Sequence, residues 1–513
     1  MLKINNAVIK QQHNFWSNFM FHPTDAIEDP WGKRILDTIA EDKSIDTVRM
    51  YPMFEDIMYD DGNGGYKYDF RMNDLRLDYM IEKGFNIMLC YAYIPPCIAS
   101  DPEAVSSNAK VSTRYKGKMI NTSTPIDYKL WEELCYQYTK HIVERYGEER
   151  VSKWYLQCFN EPDNSNYFIG NIAKINPQGD KTRDEWVIEN NAIRATEYCK
   201  LYQGFHDGIR RVSKNLIMGG PVMCGANLAY IFLDKFLSYV KEKKLQFDFL
   251  SLHAYGANVN LLSAGEQKLC IENQKAKLKY YFDVIEKQGF QDTDIILDEW
   301  GACNIGYKNV EEYPPLIFRE KEVYSAYLTK MIHDFIEEGY PIKKMLICLS
   351  GQHDMTEDFS GFRNFFTLNF IRKPIYNAFC LAARLHNGLL SYETENQNIF
   401  AVPTKNENGN LAVLLTYCDR CFEENIPEMT EAVDLGDTAD GRKVTIWCID
   451  KDTTNPYRLA QKKNIGKTPT KEEIALLREE GKLKPTAEFV YNNNDKFTLK
   501  LTANCTYLVT AEK

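Results

Sequence analysis

The feature that most constrains the fold of this chain is a regular alternation of short apolar runs with longer amphipathic ones. Eight of the short runs are almost continuously apolar, as expected for strands that are buried on both faces. These predicted strands are residues 14–20, 47–51, 86–93, 154–159, 216–223, 247–253, 294–300 and 344–350. A helical pattern follows each strand, and the predicted helices are residues 29–39, 73–83, 128–146, 195–212, 229–243, 271–287, 320–338 and 375–385. Eight strand-then-helix units in a row predict an α/β fold, a (β/α)8 TIM barrel over residues 11–388.

An open doubly wound sheet is the alternative, because it shows the same alternation of strands and helices. In many such sheets a G-x-G-x-x-G turn follows the first strand and binds a dinucleotide phosphate. No such turn follows residues 14–20, so the closed barrel is favoured and no dinucleotide cofactor is expected.

The pattern changes after about residue 388 to short strands between polar turns. Strands are predicted at residues 400–403, 411–417, 443–449, 488–491, 496–501 and 506–510, with one amphipathic helix at 471–480. Asn406-Glu-Asn-Gly409 is a hairpin signal between two of these strands. The segment predicts a C-terminal β-sandwich accessory domain over residues 389–513, which the strand-like N-terminal residues 1–10 are expected to join.

Charge and hydropathy exclude several classes of partner. The chain has 62 Lys and Arg against 72 Asp and Glu, a net charge of −10, and no long basic run, which argues against binding to a nucleic-acid backbone. No apolar run approaches the roughly 18 to 20 residues of a membrane span. The N-terminus lacks an apolar stretch of signal-peptide length, so a cytoplasmic protein is expected.

The 14 cysteines are irregularly spaced, and several lie inside apolar runs, where a reduced Cys behaves as a small hydrophobe. A single C-x-x-C pair, Cys418 and Cys421, has no second pair of metal ligands near it in the sequence. We therefore expect a turn at this pair, and no metal or other cofactor in the protein.

Carboxylates stand at the ends of two predicted strands. The fourth strand ends in Asn160-Glu161-Pro162, and the seventh ends in Asp298-Glu299-Trp300. Barrel active sites lie at the C-terminal ends of the strands, and a carboxylate that leaves an apolar strand is costly unless it is paired. Two such carboxylates that face each other are the residues that glycoside hydrolysis requires.

Asp298 competes with Glu299 for the place facing the barrel lumen. Neighbouring strand residues point to opposite sides, so only one of the two is expected to face inward. We favour Glu299, since Leu297 would then be the next side chain inside a small barrel.

Motifs along nearly the whole chain resemble glycoside hydrolase family 39, the β-xylosidase and α-L-iduronidase family. They are R-M-Y at 49–51, P-I-D-Y-K-L-W at 125–131, R-Y-G at 145–147, N-E-P-D at 160–163, G-G-P at 219–221, D-F-L-S-L-H-A-Y at 248–255, D-E-W at 298–300, K-P-I-Y-N-A at 373–378 and N-P-Y-R at 455–458. The resemblance implies a retaining barrel enzyme, and the last motif extends it into the accessory domain.

Carried over by position, the resemblance implies that Glu161 is the general acid/base and Glu299 the nucleophile. Asn160 would hydrogen-bond the sugar 2-hydroxyl, and Tyr255 would hold an oxygen of the nucleophile. Arg49 would lie beneath the nucleophile and keep it ionised. A separation of about 5–5.5 Å between the two carboxyl groups would imply retention of configuration.

Further residues are candidates for the sugar site. His253 is either a hydrogen-bonded core histidine or part of the site, and Trp131 and Trp300 are either core or platforms for a sugar ring. Tyr51 stands where xylosidases of the family carry His, and the eighth-strand segment with Gln352 lacks the family's Trp. These departures predict conserved chemistry with altered sugar specificity.

The leading hypothesis is a retaining, exo-acting glycoside hydrolase that resembles β-xylosidases and acts on small oligosaccharides, because polymers do not enter cells. The alternatives are a non-catalytic carbohydrate-binding relative, or a glycosidase for another sugar such as a uronic acid. Transglycosylation from the same covalent intermediate also stays open. The resemblance is compatible with a homo-oligomer that uses the β-sandwich as its contact surface.

Overall fold

The computed structural model describes residues 1–22, 25, 27–106, 120–225, 228–257, 269–306, 308–350, 354–492 and 496–513. Gln352, which we expect near the sugar, lies outside these described residues.

Eight parallel strands close into a barrel in which each strand pairs with its neighbours in chain order. They are Asn18–Met20, Thr47–Met50, Asn86–Tyr91, Tyr155–Cys158, Ile217–Met223, Phe249–Tyr255, Asp294–Gly301 and Ile342–Cys348, numbered below as barrel strands one to eight. Closure is made by the eighth strand, whose Leu346 is in register with Asn18 of the first. The predicted (β/α)8 barrel is therefore confirmed.

Helices connect the barrel strands on the outside. The α-helices of this region are Pro30–Asp42, Arg71–Glu82, Tyr128–Tyr146, Glu148–Val151, Ile172–Ile175, Arg183–Arg210, Ala229–Lys243, Ile271–Gln288, Val323–Glu337 and Pro374–Ala382, with 3-10 turns at Phe54–Asp56, Pro96–Ile98 and Pro314–Glu320. Arg183–Arg210 begins well before the predicted residue 195, because Thr182 and Glu185 form a capping box at its start.

Apolar side chains close one end of the barrel lumen. Met88, Phe249, Ile296 and Leu346 come from four different strands and form one fully buried cluster. Gly219 makes room for this layer, since a Cβ there would overlap the backbone oxygen and ring of Phe249. Because side chains two residues apart share a face of a strand, polar residues further along the same strands point into the lumen at its other end.

Two more sheets pack face to face as a β-sandwich. The seven-stranded sheet contains, in spatial order, Pro485–Val490, Lys443–Ile449, Cys505–Glu512, Leu411–Tyr417, Ile399–Lys405, Gly388–Leu389 and Lys10–Gln11. The four-stranded sheet contains Tyr392–Glu393, Leu2–Ile4, Met429–Asp434 and Phe497–Leu501. Alternate residues of both sheets, among them Leu2, Val413, Val433 and Leu501, form the second large core cluster.

The N-terminal residues contribute to both sandwich sheets. Leu2–Ile4 pairs antiparallel with Tyr392–Glu393 and parallel with Met429–Asp434, and Lys10–Gln11 pairs with Gly388–Leu389. The predicted domain boundary at residue 388 stays a prediction.

The remaining elements are short. A hairpin of Met58–Asp60 and Tyr66–Tyr68 follows the second barrel strand, and the accessory region also holds helices Pro456–Lys462 and Lys471–Glu480 and a 3-10 turn at Asp437–Ala439. All fourteen cysteines are described and free of disulfides. Within the described residues, no helix has both the length and the apolar character needed to cross a membrane.

Candidate active site

Glu161 reaches the barrel mouth through an unusual backbone turn. It follows the fourth strand, and both Phe159 and Glu161 adopt left-handed backbone conformations with φ of 66° and 47°. Such conformations are costly for residues other than Gly and are found preferentially at functional sites. The turn is held by a hydrogen bond from the Glu161 N–H to the Val222 carbonyl at 2.9 Å.

A β-bulge in the seventh strand brings Asp298 and Glu299 to the same side. Leu252 is in register with Leu297, but His253 is in register with Glu299, so Asp298 is an extra residue between them. Both carboxylates consequently contact the same guanidinium, that of Arg49. The expectation that only one of them faces the lumen is therefore wrong, because it assumed an unbroken alternation along the strand.

Arg49 is the buried centre of the site. Its fully enclosed guanidinium lies 3.1 Å from Glu299 Oε1 and 3.2 Å from Asp298 Oδ2. The same group donates hydrogen bonds to the Tyr51 hydroxyl at 2.7 Å and to Asn160 Oδ1 at 2.9 Å. The planar fork of an arginine can serve this many acceptors at once, whereas a lysine ammonium is a single point charge.

Glu299 is held as an anion by its neighbours. The Tyr255 hydroxyl donates to Glu299 Oε2 at 2.8 Å, and Arg363 in turn donates to the Tyr255 oxygen at 2.8 Å. Burial would raise the pKa of Glu299, but the positive charges of His253, Arg49 and Arg363 and the Tyr255 hydrogen bond outweigh it and lower that pKa to about 2. An ionised carboxylate in this position is suited to nucleophilic attack.

Glu161 has different partners, and each of its oxygens faces one nitrogen. Nδ1 of His253 lies 2.9 Å from Oε1, and Nδ2 of Asn164 donates to Oε2 at 2.8 Å. The Glu161 side chain is 12% exposed, slightly more than the 9% of Glu299. Glu161 pairs with His253, whereas Glu299 pairs with Arg49 as well, so the two glutamates lie in distinct electrostatic settings.

His253 lies between the two glutamates. Its Nδ1 is 3.5 Å from Glu299 Oε2, and its Nε2 is 3.5 Å from Asp298 Oδ2. Burial alone would lower the pKa of His253, but the charges of Glu299 and Asp298 and the hydrogen bond to Glu161 raise it to about 10. This raised pKa favours the imidazolium form at neutral pH, while Nε2 makes no hydrogen bond within the described residues.

Oxygen atoms of Glu161 and Glu299 and a nitrogen of His253 all lie within 4.8 Å of one another. The hydrogen bond and ion pairs of the imidazolium account for this spacing, so these contacts need no cation to explain them.

The two tryptophans predicted to be either core or sugar platforms are both core residues. Trp131 is 0% exposed, packs against Phe54 and donates its indole N–H to the Leu201 carbonyl. Trp300 is also 0% exposed and stacks on Phe379, because it points outward from the strand whose Glu299 points inward. Their assignment as substrate-binding residues is therefore corrected.

Several residues of the site were missed from the sequence. His22, two residues beyond the first barrel strand, is buried close enough to Glu299 and Arg49 for their charges to act on its pKa, and the strand-end rule could have found it. Tyr93 accepts a hydrogen bond from Asn160 and stacks on Tyr51 with nearly parallel rings. Asn164 and Arg363 come from loops after the fourth and eighth strands, and no local pattern distinguishes them.

Comparison with known proteins agrees with this geometry. The profile of Glycosyl hydrolases family 39 matches residues 2–175 and 184–496. A beta-xylosidase of Caldicellulosiruptor saccharolyticus is 22% identical over 502 residues, which cover 94% of this chain and 92% of the relative. A beta-xylosidase of Geobacillus stearothermophilus is 23% identical over 368 residues, covering 68% of this chain and 61% of the relative.

A solved structure shares the whole fold. The crystal structure of a monomeric beta-xylosidase from Caulobacter crescentus CB15 aligns with a TM-score of 0.77 at 17% identity, covering 100% of this chain and 99% of that one. Since the family profile spans both the barrel and most of the sandwich, the chain belongs to glycosyl hydrolases family 39, a family of retaining glycosidases.

Proposed function

We propose that this glycosidase removes single terminal sugars from small β-xylosides or closely similar glycosides, with Glu299 as nucleophile and Glu161 as general acid/base. The observation that carries the proposal is the pair of carboxylates, whose oxygens approach within 4.8 Å, with Glu299 held as an anion by Arg49 and Tyr255. The xyloside preference is supported by relatives named beta-xylosidases that align over most of the chain.

The first step forms a covalent glycosyl-enzyme. An oxygen of Glu299 attacks the anomeric carbon while Glu161 delivers a proton to the glycosidic oxygen, and the bond between carbon and leaving group breaks with its electron pair on that oxygen. Arg49 and Tyr255 keep Glu299 ionised for this attack.

The second step releases the sugar. With the charge of Glu299 lost in the ester, Glu161 acts as base and takes a proton from water, whose oxygen attacks the anomeric carbon. Two inversions at the same carbon give net retention of configuration.

The Asn160 side chain is oriented to donate a hydrogen bond to one hydroxyl of the sugar. Its Oδ1 accepts from Arg49 at 2.9 Å and from Tyr51 at 2.8 Å, which leaves Nδ2 as the donating end. That end donates to the Tyr93 hydroxyl only at 3.2 Å and is the group proposed to bind the sugar 2-hydroxyl. Tyr51 thereby helps to orient the Asn160 amide that is proposed to bind the sugar.

A panel of nitrophenyl glycosides tests the proposal. We expect the β-xyloside to be hydrolysed best, and proton NMR during the reaction to show the β-anomer of the product before mutarotation. Glu299→Gln should abolish turnover. Glu161→Gln should retain kcat/KM on dinitrophenyl substrates, whose leaving groups need no acid, and lose kcat because the second step lacks its base.

Two outcomes would contradict different parts of the proposal. First formation of the α-anomer would exclude the retaining role of Glu299. Binding of sugars by the wild-type protein without turnover of any substrate would instead indicate a carbohydrate-binding protein.

A further inference from the structure

Glu161 has a nitrogen atom within hydrogen-bond distance of each of its oxygens. The Asn164 amide is fixed in orientation, because its Oδ1 accepts the backbone N–H of Asn166 at 3.0 Å and its Nδ2 therefore faces Glu161. His253 presents Nδ1 to the other oxygen at 2.9 Å. The first chemical step needs one proton on this pair of residues, and the charges around the pair decide where that proton rests.

The charges around His253 identify that place. Three carboxylates face His253: Glu161 after the fourth strand, and Asp298 and Glu299 on the seventh. Arg49 of the second strand forms ion pairs with both Asp298 and Glu299. Three carboxylates then stand against Arg49 and Arg363, which leaves one negative charge that an imidazolium neutralises. Asp298 Oδ2 lies 3.5 Å from Nε2 as an ion pair without a hydrogen bond, so Nδ1, 2.9 Å from Glu161, is the nitrogen placed to exchange a proton.

We propose that Glu161 and His253 share a single catalytic proton, which rests on the imidazole in the free enzyme and passes through Glu161 to the leaving group. This inference rests on the proposed roles of Glu161 and Glu299. In the transfer the Nδ1–H bond of His253 breaks and an O–H bond forms on Glu161. The Glu161 O–H bond then breaks as the glycosidic oxygen takes the proton, while Glu299 forms its bond to the sugar.

The nucleophile controls the direction of this transfer. Glu299 is the charge that most strongly favours protonated His253, and it becomes a neutral ester in the intermediate. The intermediate thus holds a neutral imidazole beside a Glu161 carboxylate that is ready to act as base. When water attacks, its proton returns through Glu161 to Nδ1, and the released Glu299 charge again stabilises the imidazolium. His253 is in this scheme a positioning and proton-storing residue that acts through Glu161.

Nitrogen NMR of protein labelled with ¹⁵N-histidine tests the inference directly, since imidazole and imidazolium nitrogens have different chemical shifts. We expect His253 to be an imidazolium at pH 7 in the free enzyme. It should be neutral after the nucleophile has been trapped with dinitrophenyl 2-deoxy-2-fluoro-β-xyloside. Glu299→Gln imitates the neutral ester without any sugar, and it should lower the pH at which His253 titrates from about 10 to below the pH of the measurement, a shift of roughly 3–5 pH units. His141, which contacts Asp74 outside the site, is the internal control.

The outcomes separate the two proposals. A neutral His253 in the free enzyme, or an imidazolium that persists in the trapped enzyme, overturns the shared proton while the roles of the glutamates stand. Failure of the reagent to label Glu299 would instead contradict the proposed function.

A kinetic test uses His253→Asn, which keeps an amide donor but removes the stored proton. We expect kcat/KM to fall by about 10²-fold or more on phenyl xyloside, which needs a general acid, with little change on the dinitrophenyl analogue. The basic limb of the pH profile on the phenyl substrate should also move to lower pH. An equal loss on both substrates with an unchanged pH profile would indicate a merely structural role for the ring.

Discussion

Replacement of Tyr255 by Phe isolates one of the interactions that keep the nucleophile ionised. The hydroxyl donates to Glu299 Oε2 at 2.8 Å and accepts from Arg363 at 2.8 Å. Tyr255→Phe keeps the ring and removes only the hydroxyl, so the carboxylate loses one donor while Arg49 and His253 remain.

The size of the effect follows from the value of a hydrogen bond to a charged group, which is about 1.5–3 kcal/mol. One pKa unit corresponds to about 1.4 kcal/mol, so Tyr255→Phe should raise the pKa of Glu299 from about 2 to about 3–4. Because Glu299 must be ionised to react and its pKa is depressed in the folded protein, activity is lost as the pH falls through that pKa. The acidic limb of kcat/KM should therefore move to higher pH by about 1 to 2 pH units.

The assay is the pH dependence of kcat/KM on a dinitrophenyl glycoside, with enzyme diluted from neutral stock and circular dichroism at each pH to confirm that it is folded. Tyr51→Phe is the matched control, since its hydroxyl donates to Asn160 at 2.8 Å and lies 3.5 Å from Glu299. It should move the acidic limb less than Tyr255→Phe does. An acidic limb that stays in place in Tyr255→Phe would refute the argument that this hydroxyl holds the nucleophile ionised.

Other substitutions test the rest of the site. Arg49→Met leaves Asp298 and Glu299 buried without their shared cation and should cost about 3–5 kcal/mol in urea unfolding, and a loss below about 1 kcal/mol would contradict its central role. Trp131→Ala should cost about 3–5 kcal/mol of stability and leave KM unchanged. A raised KM would show that Trp131 contacts the sugar, against its assignment to the core. The pKa of His253 is raised, so its stabilisation is complete below about pH 6.5 and is lost as the pH rises through about 10. In His253→Asn, unfolding free energy should accordingly fall less steeply between pH 7 and 10 than in the wild type.

The barrel could be predicted from the sequence because its signal is local. A strand buried on both faces must be continuously apolar, and eight such strands with intervening helices leave few topologies. The helices Tyr128–Tyr146 and Ala229–Lys243 were predicted to the residue, and Asp127 and Gly147 mark the two ends of the first. Met429–Asp434 was missed in the sandwich, as only alternate residues of this strand are buried.

The two glutamates could be placed by the same local reasoning. Each stands where an apolar strand ends, and the C-terminal ends of barrel strands meet at one mouth. The alternation rule failed at Asp298, because a bulge depends on the register of the neighbouring strand rather than on the residues around it.

The sequence by itself thus determined the barrel and the two carboxylates at its mouth. Only the tertiary structure decided what surrounds them: Asp298 beside Glu299, Arg363 behind Tyr255, Asn164 and His253 on either side of Glu161. Trp131 and Trp300 turned out to be core for the same kind of reason. Burial and charge state depend on contacts between residues far apart in the chain, whereas the strand pattern depends on neighbours, and this is why the chemistry of the site is set by the closed barrel.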